Sequence, residues 1–367
     1  MAGLYLTDLA LAQFRSHRKA RFALDGRPVA LCGANGAGKT NVLEAISLLS
    51  PGRGLRRAAA EEFARAPGDL GWKIRAVLRS DAGDSEIETG AEPGQPRQVR
   101  IDGKAAPQLA LARALRVVWL VPSMDRLWIE GAEGRRRFLD RMTMSFEPSH
   151  AETVLSYDKA MRERNRLLKD MVRDSHWYQA LEQKMAEFGE VIRKNREAAL
   201  TRLTLAQAGA ETAFPVADLG LVSDDPVPTG QEALAAAFAE GRAADMRAGR
   251  TRIGPHRVDL SAAYAEKGVP AGLCSTGEQK ALLISLILAN SRALAEDHGA
   301  PPVVLLDEIA AHLDAGRRAA LYDEILALGA QAWMTGTERE LFSELGQQAQ
   351  VFDVTESGGE SRIEART

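Results

Sequence analysis

The residues best suited to chemistry form one short run near the N-terminus. Residues 33–40, Gly-Ala-Asn-Gly-Ala-Gly-Lys-Thr, fit the pattern G-x-x-x-x-G-K-[ST] in full. In this pattern the glycines let backbone N–H groups surround phosphate oxygens, the lysine reaches the β and γ phosphates, and the hydroxyl can ligate Mg²⁺. The pattern therefore predicts an ATP-binding loop. Its predicted binding residues are Gly33, Ala34, Asn35, Gly36, Ala37, Gly38, Lys39, Thr40 and Asn41.

Two acids late in the chain complete the chemistry that a phosphate loop needs. Val303 to Leu306 is an apolar run typical of a buried strand, and Asp307 and Glu308 follow it. A carboxylate at the carboxyl end of a central strand faces the phosphate crevice, so Asp307 is predicted to hold Mg²⁺ together with Thr40. Glu308 is predicted to be catalytic, orienting and deprotonating an attacking water, with Lys39 as the second catalytic residue. Paired acids are also common at helix starts, so this prediction depends on the phosphate loop.

A third run, Ser275-Thr276-Gly277-Glu278, precedes a very apolar helix predicted at Ala281 to Ala289. Ser275 and Glu278 stand at the spacing of a capping box, which alone would explain both residues. A serine and a glycine at a helix N-terminus also form an anion site. The place of this run, about 30 residues before the acidic strand end, resembles that of the signature helix of ABC-type ATPases. Both interpretations stay open at this point.

The elements around these runs alternate between strand and helix patterns, which favours a mixed sheet. Residues 149–208 differ, because they lack proline and repeat apolar residues at helical spacing. They predict two amphipathic helices that turn near Asp174 and Ser175. Further strands are predicted at Val29 to Cys32, Trp72 to Leu78, Gln98 to Ile101 and Ala332 to Met334, and a helix at Ala315 to Leu328.

The predicted fold class is therefore α/β, a P-loop NTPase in which a helical lobe is inserted into a mixed-sheet ATPase lobe. The resemblance of the signature run to that of ABC-type ATPases implies the ABC/SMC type. We expect the ATPase lobe at residues 1–125 and 246–367, and the inserted, mostly helical lobe at residues 126–245.

Composition is that of an ordinary soluble protein, with 45% hydrophobic and 26% charged residues over 367 positions. The formal charge of −3 argues against a globally basic nucleic-acid coat, but residues 1–60 carry nine Lys or Arg against three Asp or Glu. The two cysteines, Cys32 and Cys274, are too few for a disulfide framework. We expect a cytoplasmic protein, because the N-terminus lacks a signal-peptide pattern and no apolar run is long enough to span a membrane.

Longer stretches of the sequence are similar to the RecF family, in the SMC-like branch of ABC ATPases, along nearly the whole chain. The most discriminating stretch is Gly254-Pro255-His256-Arg257, between the predicted helices and the signature run. The other stretches that carry the resemblance are Phe14-Arg15, residues 33–46, Arg56-Arg57, residues 136–140, Asp307-Glu308 and Leu313-Asp314.

The resemblance implies a weak, DNA-stimulated ATPase that forms an ATP-dependent homodimer on double-stranded and gapped DNA. It also implies cooperation with RecR and RecO to load RecA at single-strand gaps, slow hydrolysis that resets the clamp, and nucleoid association. By resemblance, Ser275 and Gly277 contact the γ-phosphate held by the other subunit. The implied dimer interface consists of Ser275, Thr276, Gly277 and Asp314.

The sequence departs from the family pattern at several places. Glu278 stands where the common ABC signature has Gln, although SMC-type signatures also carry Glu there. The run Pro122-Ser123-Met124-Asp125 replaces the more usual Pro-Glu-Asp of the family, and Thr335 to Thr337 stand where transporters have a switch histidine. The roles of the Q-loop and switch equivalents therefore stay open.

Arg53, Arg56 and Arg57 are the candidate DNA-binding residues, because Gly52 and Gly54 would let their loop approach a phosphate backbone. A solvated basic loop is the alternative. The rival functions are another SMC-like ABC ATPase of defence or repair, a transporter motor subunit, and a nucleotide-dependent scaffold without turnover.

Overall fold

The chain folds into two compact units, each assembled from separate stretches of sequence. We describe them from a computed structural model, which covers residues 3–66, 68 and 70–366, with His312 described in its backbone alone. Unit 1 combines Met1–Asp125, Gly209–Pro215 and Ser275–Thr367, and unit 2 combines Arg126–Ala208 and Val216–Cys274. Strands and α-helices are numbered in chain order.

One six-stranded sheet of unit 1 carries the chemistry-bearing residues. Its strands are β3 (Val29–Cys32), β8 (Val117–Leu120), β12 (Val303–Leu306), β13 (Ala332–Gly336), β14 (Gln350–Ser357) and β15 (Glu360–Arg366). Their order is β15-β14-β3-β13-β12-β8, and all neighbours are parallel except β15, which pairs antiparallel with β14. The four residues of β12 are all buried, as expected for a parallel strand covered on both faces.

A second, antiparallel sheet completes unit 1. Its strands are β1 (Tyr5–Phe14), β2 (His17–Ala23), β4 (Trp72–Ser80), β5 (Gly83–Ala91), β6 (Gln98–Ile101) and β7 (Lys104–Ala105). They are arranged in the order β2-β1-β4-β5-β6-β7. The two sheets share one apolar core, in which Phe22 meets Trp333 and Phe352 edge-on, with ring centroids 5.4 and 5.0 Å apart.

Four helices accompany these sheets: α1 (Lys39–Ser47), α2 (Leu111–Ala114), α7 (Thr276–His298) and α8 (Ala315–Leu328). Every residue from 279 to 291 of α7 is buried. The apolar run predicted at Ala281 to Ala289 therefore lies in a helix that is surrounded by protein on all sides, as expected for a helix without a polar face. The helix predicted at Ala315 to Leu328 is confirmed at both ends as α8.

Unit 2 is mostly helical. Its elements are α3 (Ala132–Phe146), α4 (His150–Lys169), α5 (Ser175–Ala208), β9 (Ala217–Val222), α6 (Gln231–Ala248), β10 (Asp259–Tyr264) and β11 (Val269–Pro270). The three strands form a small sheet of order β11-β10-β9. The predicted helix pair is confirmed as α4 and α5, which are separated by residues 170–174.

The boundaries of the inserted lobe differ from the prediction in two places. Unit 2 continues past residue 245 to Cys274, because β10 pairs with β9 over six residues. In addition, residues 209–215 belong to unit 1, where the Thr212 hydroxyl donates to Glu324 on α8. Neither difference has a sequence signal, because both depend on contacts with distant segments.

The Gly-Pro-His-Arg stretch lies inside unit 2, where the helices hold it. Tyr157 donates its hydroxyl hydrogen to Nδ1 of His256 at 2.8 Å, and Nε2 of His256 donates to the Thr251 carbonyl at 3.2 Å. A Cβ on Gly254, whose φ is +131°, would lie 2.4 Å from the Tyr157 hydroxyl. The Arg196 guanidinium donates to the Pro255 carbonyl at 2.8 Å. These contacts explain the residue types of Gly254 and His256 by packing and hydrogen bonding within unit 2.

Burial lowers the pKa of His256 to about 4 from its ordinary value of 6.5, so the folded chain holds a neutral imidazole. As the pH falls below 6.5, the unfolded chain gains a proton that the folded chain does not, and stability is lost until about pH 4. Between about pH 7.5 and 5 this loss should be about 2 kcal/mol. In His256→Gln we expect that part of the loss to disappear.

Hydrogen exchange of the α5 amides measures this effect in wild type and variant at both pH values. The opening free energy of the wild type should exceed that of the variant at the higher pH, and this difference should shrink at the lower pH. A difference that stays constant between the two pH values would contradict the assignment of a buried neutral imidazole.

Candidate nucleotide-binding site

Three strands of the parallel sheet bring the predicted site residues together. The phosphate loop leaves β3 and enters α1, whose N-cap is Gly38. Asp307 and Glu308 directly follow β12, and β13 lies between β3 and β12. Since parallel strands present their carboxyl ends at one edge of the sheet, the loop and the two acids converge there.

Two glycines of the loop are required by close approach. A Cβ on Gly33 would lie 2.0 Å from the Val354 carbonyl oxygen, and the backbone of β14 cannot move away without disturbing the sheet. Gly38 has a φ of +104°, and a Cβ there would lie 2.3 Å from the Ser361 hydroxyl. Both positions therefore fix the shape of the loop through contacts with β14 and β15.

Lys39, which is predicted to bind phosphate, lies across the phosphate loop. Its ammonium donates to the carbonyls of Gly33 at 2.6 Å and Ala34 at 2.9 Å. Burial lowers the pKa of Lys39, while the nearby carboxylates of Glu308 and Asp307 act in the opposite direction. The charge is thus held where phosphate oxygens would approach the loop.

Asp307 accepts hydrogen bonds from two threonine hydroxyls. Thr40 donates to its two carboxylate oxygens at 2.9 and 3.1 Å, and Thr335 on β13 donates to Oδ1 at 2.8 Å. Burial raises the pKa of Asp307, and both hydroxyls oppose this shift by favouring the ionised form. The sequence pairs Thr40 with Asp307 but indicates no such contact for Thr335.

These oxygens fit the magnesium ion that a phosphate loop implies. A hydroxyl and a carboxylate in contact are the hard ligands that Mg²⁺ takes, usually with several waters and phosphate oxygens completing the shell. Among the described residues no group of three or more His, Cys, Asp and Glu side chains is arranged to hold a metal. Thr40 and Asp307 stay the predicted magnesium ligands.

Glu308 adopts a backbone conformation that is rare for a residue with a side chain. Its φ is +54°, in the left-handed region, which costs about 1–2 kcal/mol for an L-residue. Its N–H donates to the Thr335 hydroxyl at 2.8 Å. Its half-buried carboxylate has no hydrogen-bond partner in the part of the chain that the structure describes.

Ser361 and His17 also contact the phosphate loop, and sequence patterns do not predict these contacts. Ser361 donates to the Ala37 carbonyl at 2.6 Å. Nε2 of the fully buried His17 contacts the Gly38 carbonyl at 3.0 Å, and burial lowers the pKa of His17. No sequence signal connects these residues with the loop, because they come from β15 and β2.

Arg56, one of the predicted DNA-binding residues, is tied to the nucleotide site. It donates to the Asn41 side chain at 2.8 Å and to Glu44 at 3.2 Å. The carboxylate of Glu44 is fully buried and also accepts two hydrogen bonds from Arg15, at 2.8 and 2.9 Å. Arg56 thus helps to neutralise a buried acid on α1, a role that the sequence did not indicate.

Arg53 and Arg57 are exposed on the loop that follows α1. Arg97 shapes this loop from inside, since its guanidinium donates to the carbonyls of Leu48 and, at 2.8 Å, of Gly52. Burial lowers the pKa of Arg97 to about 10. The loop therefore has a defined backbone, with Arg53 and Arg57 on its surface.

At the predicted signature run the capping interpretation is confirmed. The Ser275 hydroxyl accepts the Glu278 N–H at 3.4 Å, and the Glu278 carboxylate accepts the Ser275 N–H at 2.8 Å. Ser275, Thr276 and Gly277 are exposed, and Asp314 is the N-cap of α8. In the described chain none of them hydrogen-bonds to the phosphate loop, so an anion-binding role is not tested by this geometry.

The segment in the Q-loop position follows β8 and contacts the helix that begins at the signature run. Ser123 and Met124 lie in a short 3₁₀ turn after β8, and Asp125 follows them. The Asp125 carboxylate accepts a hydrogen bond from Lys280 on α7 at 3.2 Å. This segment is therefore linked to the helix that begins at the signature run.

The predicted switch region lies where β13 ends. Thr335 is fully buried, whereas Thr337 is exposed. Since the Thr335 hydroxyl donates to Asp307, the region reaches the site through a hydroxyl rather than an imidazole.

Fold and site together define a P-loop protein of ABC/SMC type with a helical insertion. The sequence profile described as the RecF/RecN/SMC N terminal domain matches residues 5–359. The chain is 48% identical to the DNA replication and repair protein RecF of Brucella suis biovar 1 (strain 1330) over 359 residues, which cover 95% of this chain and 94% of that protein.

Solved structures share this fold. A structure of the recombination mediator protein RecF-ATPrS in the RecFOR pathway has a TM-score of 0.85 at 23% identity, covering 100% of this chain and 99% of that one. A head domain of Smc derived from Pyrococcus furiosus has a TM-score of 0.57 at 16% identity, covering 99% and 96%. The chain belongs to the RecF family of DNA replication and repair proteins. Across the described residues no helix is long and apolar enough to cross a membrane.

Gly33→Ala tests the packing of the loop against β14. We expect ATP affinity to fall at least about tenfold, because the new Cβ would displace either the Val354 carbonyl or the loop itself. Isothermal titration with ATP measures the effect. Gly131→Ala is the matched control, since a Cβ there would meet nothing within 4 Å. Unchanged ATP affinity in Gly33→Ala would show that the loop does not depend on this close approach.

Proposed function

We propose that this chain is an ATP-dependent, DNA-binding recombination mediator that dimerises on DNA and, with RecR and RecO, promotes RecA loading at single-strand gaps. One observation carries the ATPase part of the proposal. Lys39 and Thr40 on the loop meet Asp307 and Glu308 at the end of β12, with Thr40 in hydrogen-bond contact with Asp307. The names of the relatives, which place RecF in DNA replication and repair and in the RecFOR pathway, support the role in recombination.

In the proposed mechanism each side chain has a separate task. The loop N–H groups and Lys39 bind the β and γ phosphates, and phosphate oxygens replace the Gly33 and Ala34 carbonyls as partners of the ammonium. Thr40 and Asp307 would hold Mg²⁺, which supplies charge neutralisation at the phosphates when bound. Glu308 orients the attacking water and accepts its proton, because its carboxylate has no competing hydrogen-bond partner in the described chain.

Dimerisation would complete the site. The exposed run Ser275 to Gly277 of each subunit closes on the nucleotide of the other, and Asp314 lies at the interface. The capping box supports this geometry, because it holds the first turn of α7 in a fixed shape while Thr276 and Gly277 stay exposed. Slow hydrolysis at Glu308 would then reopen the dimer and release DNA.

Glu308→Gln should trap the ATP-bound dimer, because the amide cannot accept the proton of the attacking water. We expect hydrolysis to fall at least about 100-fold while the mass measured by light scattering doubles with ATP and gapped DNA. Lys39→Ala should abolish ATP-dependent dimerisation. Glu266→Gln, which changes an exposed acid of unit 2, is the control. A Glu308→Gln protein that stays monomeric under these conditions would refute the closure model.

The exposed arginines of the loop after α1 are the proposed contacts with DNA phosphates. Arg53 is the best test residue, because it is exposed and the structure gives it no side-chain partner within the described residues, whereas Arg56 is bound to Glu44. Arg53→Ala should weaken DNA binding uniformly across sequences and reduce the slope of log affinity against log salt by about 0.9.

Fluorescence anisotropy with a duplex at several salt concentrations measures this slope. Arg113→Ala, which removes an exposed arginine from α2 of the same unit, should leave the slope unchanged. An Arg53→Ala slope equal to that of the wild type would exclude Arg53 as a phosphate contact.

A further inference from the structure

We infer that Thr335 is a positioning residue for hydrolysis, which sets the direction of Glu308 through the backbone. The inference rests on the proposed function of Glu308. Sequence patterns mark Thr335 only as part of a switch region, whereas the structure places its hydroxyl between the two acids.

The position of Thr335 follows from the sheet. Met334 pairs with Leu306, and Thr335 pairs with Leu31 on the other side, so Thr335 lies beside the strand end that leads into Asp307. The side chain is fully buried. It therefore cannot reach solvent, and its hydroxyl must satisfy its hydrogen bonds within the site.

The hydroxyl makes two bonds of opposite polarity. It donates its single hydrogen to Oδ1 of Asp307 at 2.8 Å, and it accepts the Glu308 N–H at 2.8 Å. Because the donor side is committed to Asp307, a lone pair is directed at the Glu308 N–H. One side chain thus fixes a carboxylate and the next backbone amide at the same time.

The second bond matters because of the backbone of Glu308. Its φ of +54° is unfavourable for a residue with a Cβ, so the conformation needs support from its surroundings. Within the described chain the Glu308 carboxylate itself has no hydrogen-bond partner. The backbone sets the direction in which the Glu308 side chain leaves the chain, and the bond from its N–H to Thr335 ties that backbone to β13.

A packing role for Thr335 would make a different prediction. Threonine is also a good strand residue by shape, and a valine at this position would have nearly the same shape without the hydroxyl. A serine would keep the hydroxyl and lose a methyl group. If shape matters, valine is tolerated and serine is not; if the two hydrogen bonds matter, the order is reversed.

The experiment compares Thr335→Val, Thr335→Ser and the control Thr355→Val, which changes an exposed threonine on β14. Steady-state ATP hydrolysis gives kcat and KM, and titration gives the Kd for ATP. For Thr335→Val we expect kcat to fall on the order of 10- to 100-fold, with KM and Kd within about threefold of wild type. Thr335→Ser should keep at least half of the wild-type kcat, and Thr355→Val should match wild type.

A Thr335→Val kcat close to wild type, or equal losses in the valine and serine variants, would overturn the inference. If the valine variant does not fold, Thr335→Ala is compared with Thr335→Ser instead, because the two differ by one hydroxyl and carry the same expectation.

Glu308→Gln in the same assay separates this inference from the function that it rests on. Lost hydrolysis in Glu308→Gln with normal hydrolysis in Thr335→Val refutes the positioning role alone. Normal hydrolysis in Glu308→Gln refutes both.

Discussion

The carboxylate of Asp307 accepts hydrogen bonds from Thr40 on α1 and from Thr335 on β13, while its own backbone continues β12. Three elements that are far apart in sequence therefore meet at one buried acid. Burial alone would raise the pKa of Asp307 and favour its protonated form, and the two hydroxyls counter that tendency. This contact joins the phosphate loop to the acidic strand end.

The sheets around Asp307 keep that contact in place. The glycines at positions 33 and 38 let the loop lie directly against β14 and β15, so the loop has little room to shift. The side chain of Gln331 joins the two sheets, since it accepts from the Leu6 N–H at 2.9 Å and donates to the Leu6 carbonyl at 3.0 Å. Rigidity of this kind is what a site needs when it must place charge within a fraction of an ångström.

Sequence patterns predict those strands and helices whose ends depend on interactions between neighbouring residues. The strand at Val303 to Leu306 and the helix at Ala315 to Leu328 were predicted at both ends, because apolar runs and caps are written in neighbouring residues. The contacts of Thr335 and Ser361 could not be predicted, since strand order brings them to the site. Arg56 was expected to face DNA, and only the fold shows its bond to the buried Glu44.

The positions of the two units along the chain determine the order in which they can fold during synthesis. All of unit 2 lies between residues 126 and 274, so it is synthesised before residues 275–367 of unit 1. The fold of unit 1 cannot be completed until later, because β12, β13 and β14 of its parallel sheet come from residues 303 to 357. The phosphate loop is thus translated early but gains Asp307, Thr335 and Ser361 late. Such long-range closure slows folding and leaves apolar strands uncovered in the meantime.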